Sequence, residues 1–461
     1  MGGKNKKPIS FDYDLVVIGA GTAGSVAANL AANHAKKVAI IENNKIGGEQ
    51  LWSTTIPTKW LIESLKFYQK AKKANSQGLD ISVSPISIDK IKHYLRKTQN
   101  KASGAETNVF KDENIKTYKG IAEFIDDHHI SINGKKVSSK YFLVAPGASP
   151  DNSIAKKFNI TNFLTYIDLA ELNFSGTSFC FIGAGSVAYE YSQILTMLGF
   201  NVHVIEKNNH ILPKSDNEVS DISEDILIKH SVKLHTASFV EDIKQSNGKS
   251  IIHFIKNQRR YRLAVDNLVL ASGKMPNVKN LGLENANVHF DEKGIKTNRK
   301  MQTSQKNIFA AGDVVGSESG YEAIYDAQIA VHNMYFRKKL KKSRKAIPKV
   351  VYGSTEIATV GVSELQLKLS GKVYQSSIAP AGITARSLYG QYELGFVKIL
   401  ANHKGIVVGA SVVGENATEL INILSVAINN NMQACDLAKT VYSSPSWSES
   451  IKIAASKIYC L

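Results

Sequence analysis

Two stretches of this sequence follow one plan. Residues 14–19 (DLVVIG) are a continuous apolar run ending in glycine, as a strand covered on both faces reads. The run enters GAGTAG, then an alanine-rich helix expected over residues 25–35, then an apolar strand over 37–41 that ends at Glu42. The plan returns as a strand at 179–182, the turn GAGSVA, a helix expected over 189–199, and a strand over 201–205 ending at Glu206. From second glycine to acid is 21 residues in both copies, Gly21 to Glu42 and Gly185 to Glu206.

A repeated strand–glycine turn–helix unit with an acid at this distance predicts two dinucleotide-binding domains. In the first copy Gly19 permits the tight turn, Gly21 lets backbone approach a pyrophosphate, and Gly24 lets helix and strand pack closely. The helix N-terminus then presents unpaired amides to the phosphates, and Glu42 can accept from ribose hydroxyls. In the second copy Gly183 and Gly185 take the first two places and Ala188 the packing place. A carboxylate at Glu206 would repel a 2′-phosphate, so NADH is favoured; Lys207 beside it keeps NADPH possible. The plain alternative for either copy is a tight turn without a ligand.

At 461 residues the chain has room for about three domains. No apolar run reaches the ~18 residues of a membrane span. The basic N-terminus (MGGKNKKPIS) has no signal-peptide core, and Gly2 lacks the Ser or Thr expected at the myristoylation position, near which Lys7 sits, so lipidation is not expected. The three cysteines, Cys180, Cys435 and Cys460, show no metal-ligand spacing. No metal is expected; a reducing, cytoplasmic setting is, with all three thiols inert. The net charge of +17 could signal a nucleic-acid or membrane partner, but the lysines are spread along the chain. The densest run, residues 337–345 (RKKLKKSRK), reads as a solvated linker and lacks the interleaved aromatics of a single-strand platform. No nucleic-acid partner is therefore expected. Asn133-Gly134 marks a hairpin turn. Strands at 395–400 and 406–413 with a helix at 417–429 suggest a last α+β domain.

Further motifs occur in order. They are KGIAEF (119–124), LVAPG (143–147), ASGKMPN (271–277), IFAAGDV (308–314), VGVSE (360–364) and GFVK (395–398). With the two glycine turns, this series resembles the pyridine nucleotide–disulfide oxidoreductases, in particular their dihydrolipoamide dehydrogenase and mercuric reductase branches, over almost the whole chain. The resemblance implies an α/β fold: two Rossmann-like domains, for FAD and NAD, plus a C-terminal α+β dimerisation domain. Its boundaries would be 10–150 with 276–345 for FAD, 151–275 for NAD(P), and 346–461 for the dimer interface. It implies FAD contacts at Gly48, Ala122, Ala145, Gly147, Gly312 and Asp313, with Asp313 on the ribityl chain, and a cofactor position at Gly273. It also implies a homodimer whose active sites borrow residues from the partner.

The family's reactive segment, GGTCLNVGCIPSK-like, is here residues 47–59, GGEQLWSTTIPTK. Gln50 and Thr55 fall at the two cysteine positions. The family's HxHPTxxE-like motif is here residues 442–449, YSSPSWSE, with Ser444 at the histidine and Glu449 retained. Serine is no base near neutral pH, so dithiol and base are missing together. Lys59 and Glu190 match the family's ion pair beside the flavin, and a cation there would support hydride arrival; a purely structural ion pair is the alternative. Ser186 falls where some relatives carry a gating tyrosine. Trp52, Trp60 and Trp447 all lie in or beside the two altered segments, as a stacking pocket for a flat acceptor or as filling for a lost channel.

The resulting expectation is an FAD-dependent NAD(P)H oxidoreductase passing hydride from NADH to flavin and then to a small-molecule, non-thiol acceptor: a quinone, a dye or a second nicotinamide. The alternative is a catalytically degenerate FAD-binding protein acting in binding or redox sensing.

Overall fold

The computed structural model describes residues 10–390 and 394–461; the reading of Gly2 and Lys7 lies outside them. The chain divides into two compact units. One comprises Met1–Ile56, His93–Pro150 and Lys274–Lys342; the other comprises Pro57–Lys92, Asp151–Gly273 and Ser343–Leu461.

The first unit is built on a seven-stranded sheet. Tyr13–Ile18 lies at its centre, parallel to Val38–Glu42 on one side and to Lys135–Val144 on the other. Ile115–Lys119 and Ile308–Ala310 extend the parallel part. Leu15 and Val17 face one layer, and Val16 and Ile18 the opposite one. Both faces are thus covered, which explains the unbroken apolar run. On the first face, Ala23, Ala27 and Ala31 of the Thr22–Ala32 helix share a core with Ala323, Ala327 and Ala330 of the Gly320–Tyr335 helix. Side chains this small let two helices approach closely. The Thr22–Ala32 helix begins inside the glycine turn, three residues before the apolar periodicity starts, because Gly24 can pack against the strand without a side chain. Asn133 and Gly134, both at positive φ, turn His129–Ile132 into Lys135–Val144, as a primed turn requires.

In the second unit Ser178–Ile182, Asn201–Ile205, Lys233–His235 and Asn267–Leu270 form a parallel four-stranded sheet. An antiparallel three-stranded meander of Ser238–Ser246, Lys249–Lys256 and Arg259–Val265 follows the third of these strands. The C-terminal part is a five-stranded antiparallel sheet, with the Ala417–Asn429 helix burying Leu420, Ile421 and Leu424 in its core. Lys398 of this sheet is fully buried, its ammonium 2.6 Å from Glu364, 2.9 Å from Glu218 and 3.4 Å from Asp216. That buried cation ties the start of the Asn217–Lys229 helix to the C-terminal sheet.

Two sequence expectations fail. Cys435 and Cys460 are joined in a disulfide; only Cys180 is free, and burial pushes its thiol up. The chain returns on itself here. The Gln375 side chain pairs with the backbone of Tyr459, and Gln433 donates to the Leu461 carbonyl, which sets the terminus against the Ala434–Lys439 helix. The cysteines therefore do not argue for a reducing compartment. The second failure is the basic run, which is no solvated linker throughout: the Lys342 side chain is only 6% exposed and ion-paired.

Candidate functional site

The first glycine turn closes on itself tightly. A Cβ on Gly24 would lie 1.8 Å from the Gly19 carbonyl oxygen, so no side chain fits there. Gly48, at φ +58°, brings residues 47–48 against the turn; its Cβ would lie 2.8 Å from Gly21 Cα. The Thr22–Ala32 helix starts at Gly21 without a side-chain cap, leaving its first amides available for an anion. The Glu42 carboxylate accepts from the amides of Ala20 and Asn44, each at 2.8 Å, which fixes the acid at the strand end.

Other expected cofactor positions join this group in the same unit. Ala145 and Gly147 bracket Pro146, whose carbonyl accepts from the Asn277 side chain at 3.0 Å. Ala122 is buried in an adjoining strand. Gly312 and Asp313 form a short 3-10 turn before the Gly320–Tyr335 helix. Sequence reasoning missed the groups beside Asp313. Lys274 extends to Asp313 at 3.1 Å and to Glu49 at 2.7 Å. Burial pulls the Lys274 ammonium down, but Asp313 and Glu49 outweigh it and its pKa is raised. The acid next to Gln50 and the basic residue of GKMPN were the available signals. A glycine cradle, an uncapped helix start and ionic groups at the adjoining turn together fit a dinucleotide with its phosphates and polyol.

Gln50 lies in the Gly48–Trp52 helix, where its carboxamide oxygen accepts from the Thr22 hydroxyl. A Cβ on Gly320 would come 2.6 Å from that carboxamide, so the half-buried Gln50 packs against Gly320. Trp52 donates its indole N–H to the Ile46 carbonyl at 2.8 Å, and the Lys45 ammonium sits 4.7 Å from its ring. Thr55 opens the long Thr55–Lys73 helix; Lys59 and Trp60 follow one turn later.

In the second unit the structure brings Lys59 and Glu190 together. The Lys59 ammonium lies 3.1 and 3.0 Å from the two carboxylate oxygens. Glu190, buried in the Ser186–Met197 helix, also accepts the Tyr352 amide at 3.0 Å. The Tyr352 ring stands 4.3 Å from the Lys59 ammonium, a cation–π contact not foreseen from the sequence. The second glycine turn repeats the first: the helix starts uncapped after Gly185, and a Cβ there would meet nothing. Ala188 is buried at the packing place. Glu206 accepts from Ala184 and Asn208 amides, each at 2.8 Å, as Glu42 does in the first copy. The Asn208 side-chain amide donates to it as well, so three of the carboxylate's four acceptor directions are taken and one is left for a ribose. Gly273 ends the loop after the last strand of this sheet, at φ +132°.

Ser444 is exposed, and the Glu449 carboxylate accepts from the Ser446 amide at 2.8 Å and from the Ser444 side chain. Those bonds hold Glu449 below the usual carboxylate range. Trp447 packs on the C-terminal core and has the Arg386 guanidinium 5.9 Å from its ring. No helix among the described residues is long and apolar enough to cross a membrane, and no three candidate ligands among them gather for a metal ion.

Comparison with known proteins agrees with this architecture. Residues 13–333 match the pyridine nucleotide-disulphide oxidoreductase family, and residues 347–455 match its dimerisation domain. A dihydrolipoyl dehydrogenase of Bacillus subtilis is 31% identical over 448 residues, covering 95% of this chain and 96% of that protein. A mercuric reductase of Staphylococcus aureus is 29% identical over 449 residues, covering 96% of this chain and 82% of that protein. Among solved structures, LpdA from Mycobacterium tuberculosis superposes with a TM-score of 0.86 at 24% identity, covering 96% of this chain and 99% of that one. The HOCl-induced flavoprotein disulfide reductase RclA from Escherichia coli gives 0.84 at 24% identity, with the same coverage; at such identity these two speak to fold alone. From its paired glycine turns to its C-terminal sheet, this chain belongs to the pyridine nucleotide-disulphide oxidoreductase family.

Proposed function

We propose that this protein is an FAD-dependent NAD(P)H oxidoreductase that delivers electrons to a non-thiol acceptor, such as a quinone, a dye or a second nicotinamide. The observation that carries this reading is a contrast. Residues 47–59 contain no cysteine and Gln50 is tied to Thr22, whereas Lys59 remains in a close ion pair with Glu190. The hydride-receiving side is kept and the disulfide relay is gone.

Bound FAD would supply the two-electron chemistry, between a nicotinamide and the acceptor. Gly19, Gly21, Gly24, Gly48, Gly312 and Asp313 would hold it; Gly183, Gly185, Ala188 and Glu206 would hold the nicotinamide nucleotide, with Glu206 selecting NADH. Lys59, oriented by Glu190 and flanked by Tyr352, is a fixed cation of the kind that would favour negative charge on a reduced flavin. Ser444 and Glu449 offer no base comparable to a histidine. The dimerisation domain supports a homodimer. Lipoamide, other disulfides and mercuric ion are poor substrates under this reading.

The test is a visible spectrum of purified protein, followed by NADH without oxygen. Rapid bleaching of a bound flavin, with colour restored by a quinone or NADP but not by lipoamide, is the expected result. A flavin that stays oxidised would point instead to a binding or sensing protein, and brisk dihydrolipoamide oxidation would overturn the non-thiol acceptor. On the acceptor side, Trp447→Ala is expected to raise KM for the acceptor more than KM for NADH; equal small changes would assign the indole to filling.

A further inference from the structure

Near the end of the first unit, the basic run does something its composition does not suggest. The Lys342 ammonium lies 2.6 Å from Asp326, 2.8 Å from Glu322 and 3.4 Å from the Ser317 hydroxyl. Its backbone is fixed as well: its amide donates to the Arg299 carbonyl at 2.6 Å, and its carbonyl accepts from Arg299 Nε at 3.0 Å.

The two carboxylates are already occupied on their other sides. Asp326, fully buried, accepts from the Gly312 amide at 3.3 Å and from the Ser317 hydroxyl. Glu322 accepts from the Glu318 amide at 3.0 Å. Both acids stand on the Gly320–Tyr335 helix and grip the two ends of residues 312–318, the loop that carries Asp313. Burying two carboxylates side by side is costly unless a countercharge is supplied, and Lys342 supplies it. Burial raises the Asp326 pKa even with the ammonium beside it.

We infer that Lys342 is a positioning residue for the FAD site: through Asp326 and Glu322 it sets the 312–318 loop, and with it Asp313, for the cofactor. The inference rests on the FAD reading above. Lys342 touches no expected cofactor position itself; it acts through the two acids. A basic segment between two domain motifs thereby becomes part of the cofactor cradle.

The experiment compares the full chain with Lys342→Met and with Lys342→Met/Glu322→Gln/Asp326→Asn, in which the site is neutral but can still accept hydrogen bonds. FAD is titrated into stripped protein by flavin fluorescence, and NADH binding is measured alongside. Lys342→Met is expected to weaken FAD roughly 10-fold or more, the loss of about one well-made hydrogen bond to the loop, with NADH affinity unchanged. The neutral triple variant is expected to recover most of that loss. FAD affinity equal to wild type in Lys342→Met, or no recovery in the triple variant, would overturn the inference. If Lys342→Met does not fold, Asp326→Leu serves: it removes the acceptor of Gly312 and Ser317 while Lys342 keeps Glu322, and unchanged FAD affinity would equally overturn the idea. Amide hydrogen exchange of residues 312–318 needs no cofactor. Faster exchange there in either variant supports the latch even if wild-type protein takes up no FAD, an outcome that would sink the functional reading separately; unchanged exchange would overturn the latch.

Discussion

Gly24 and Lys59 show how differently single residues were legible. A glycine three places after Gly21 is a spacing, and spacing survives in a sequence; the 1.8 Å approach to the Gly19 oxygen only gives its cause. Gly24→Val is therefore expected to abolish flavin uptake, seen as colourless purified protein. Lys59 and Glu190 are 131 residues apart, and only resemblance linked them before the 3.0 Å ion pair could be measured. Lys59→Met is expected to slow flavin reduction by NADH by roughly 10²-fold, the usual scale for losing a fixed charge where charge develops. Stopped-flow bleaching measures it, and an unchanged rate would reduce the pair to a structural role. Tyr352 was not legible at all, because nothing in VVYG announces a ring 4.3 Å from a distant lysine.

Strands and helices were read more reliably than their ends. The second unit's Ala417–Asn429 helix has the bounds its apolar pattern predicts, whereas both nucleotide-binding helices begin three residues early, inside turns that the pattern reads as loop. Strand pairing adds what periodicity cannot. His203 and His235 stack on neighbouring parallel strands, with ring nitrogens 3.1 Å apart. Burial, then the neighbouring His235, pushes His203 down to about 4, and burial lowers His235 too. Their folded values lie below the unfolded one, so their stabilising contribution is complete above pH ~6.5. It is lost as pH falls through about 4. Thermal melts from pH 7 to 4 should show a steep decline that His203→Gln flattens; parallel curves would deny the pair this role. The disulfide also belongs to this scale: a separation of 25 residues says nothing about proximity until the terminus is seen to return. Its removal by Cys435→Ser should cost about 2–4 kcal/mol in urea unfolding, with reductant producing the same loss in wild type only.

For the whole chain, order of motifs conveyed more than composition. A net charge of +17 suggested polyanions, while the succession of glycine turns, GKMPN and AGDV identified the family. The acceptor was not legible, since losing a dithiol removes one reaction without naming another. Sedimentation of the full chain is expected to show a dimer, as the match to the dimerisation domain implies; a monomer at micromolar concentration would contradict it. Seven of the nine residues at 337–345 are lysine or arginine, which should make this stretch the natural first target of trypsin. Yet the Lys338 carbonyl is bonded to His332, Leu340 is held through both backbone groups by Asn333, and Lys342 is held by Arg299. A protease needs the chain drawn out into its cleft, so nicking at residues 338–342 must wait for these anchors to open. The rate of that cut would thus act as a clock for local unfolding around residues 312–318, slowed by whatever ligand makes the same loop rigid.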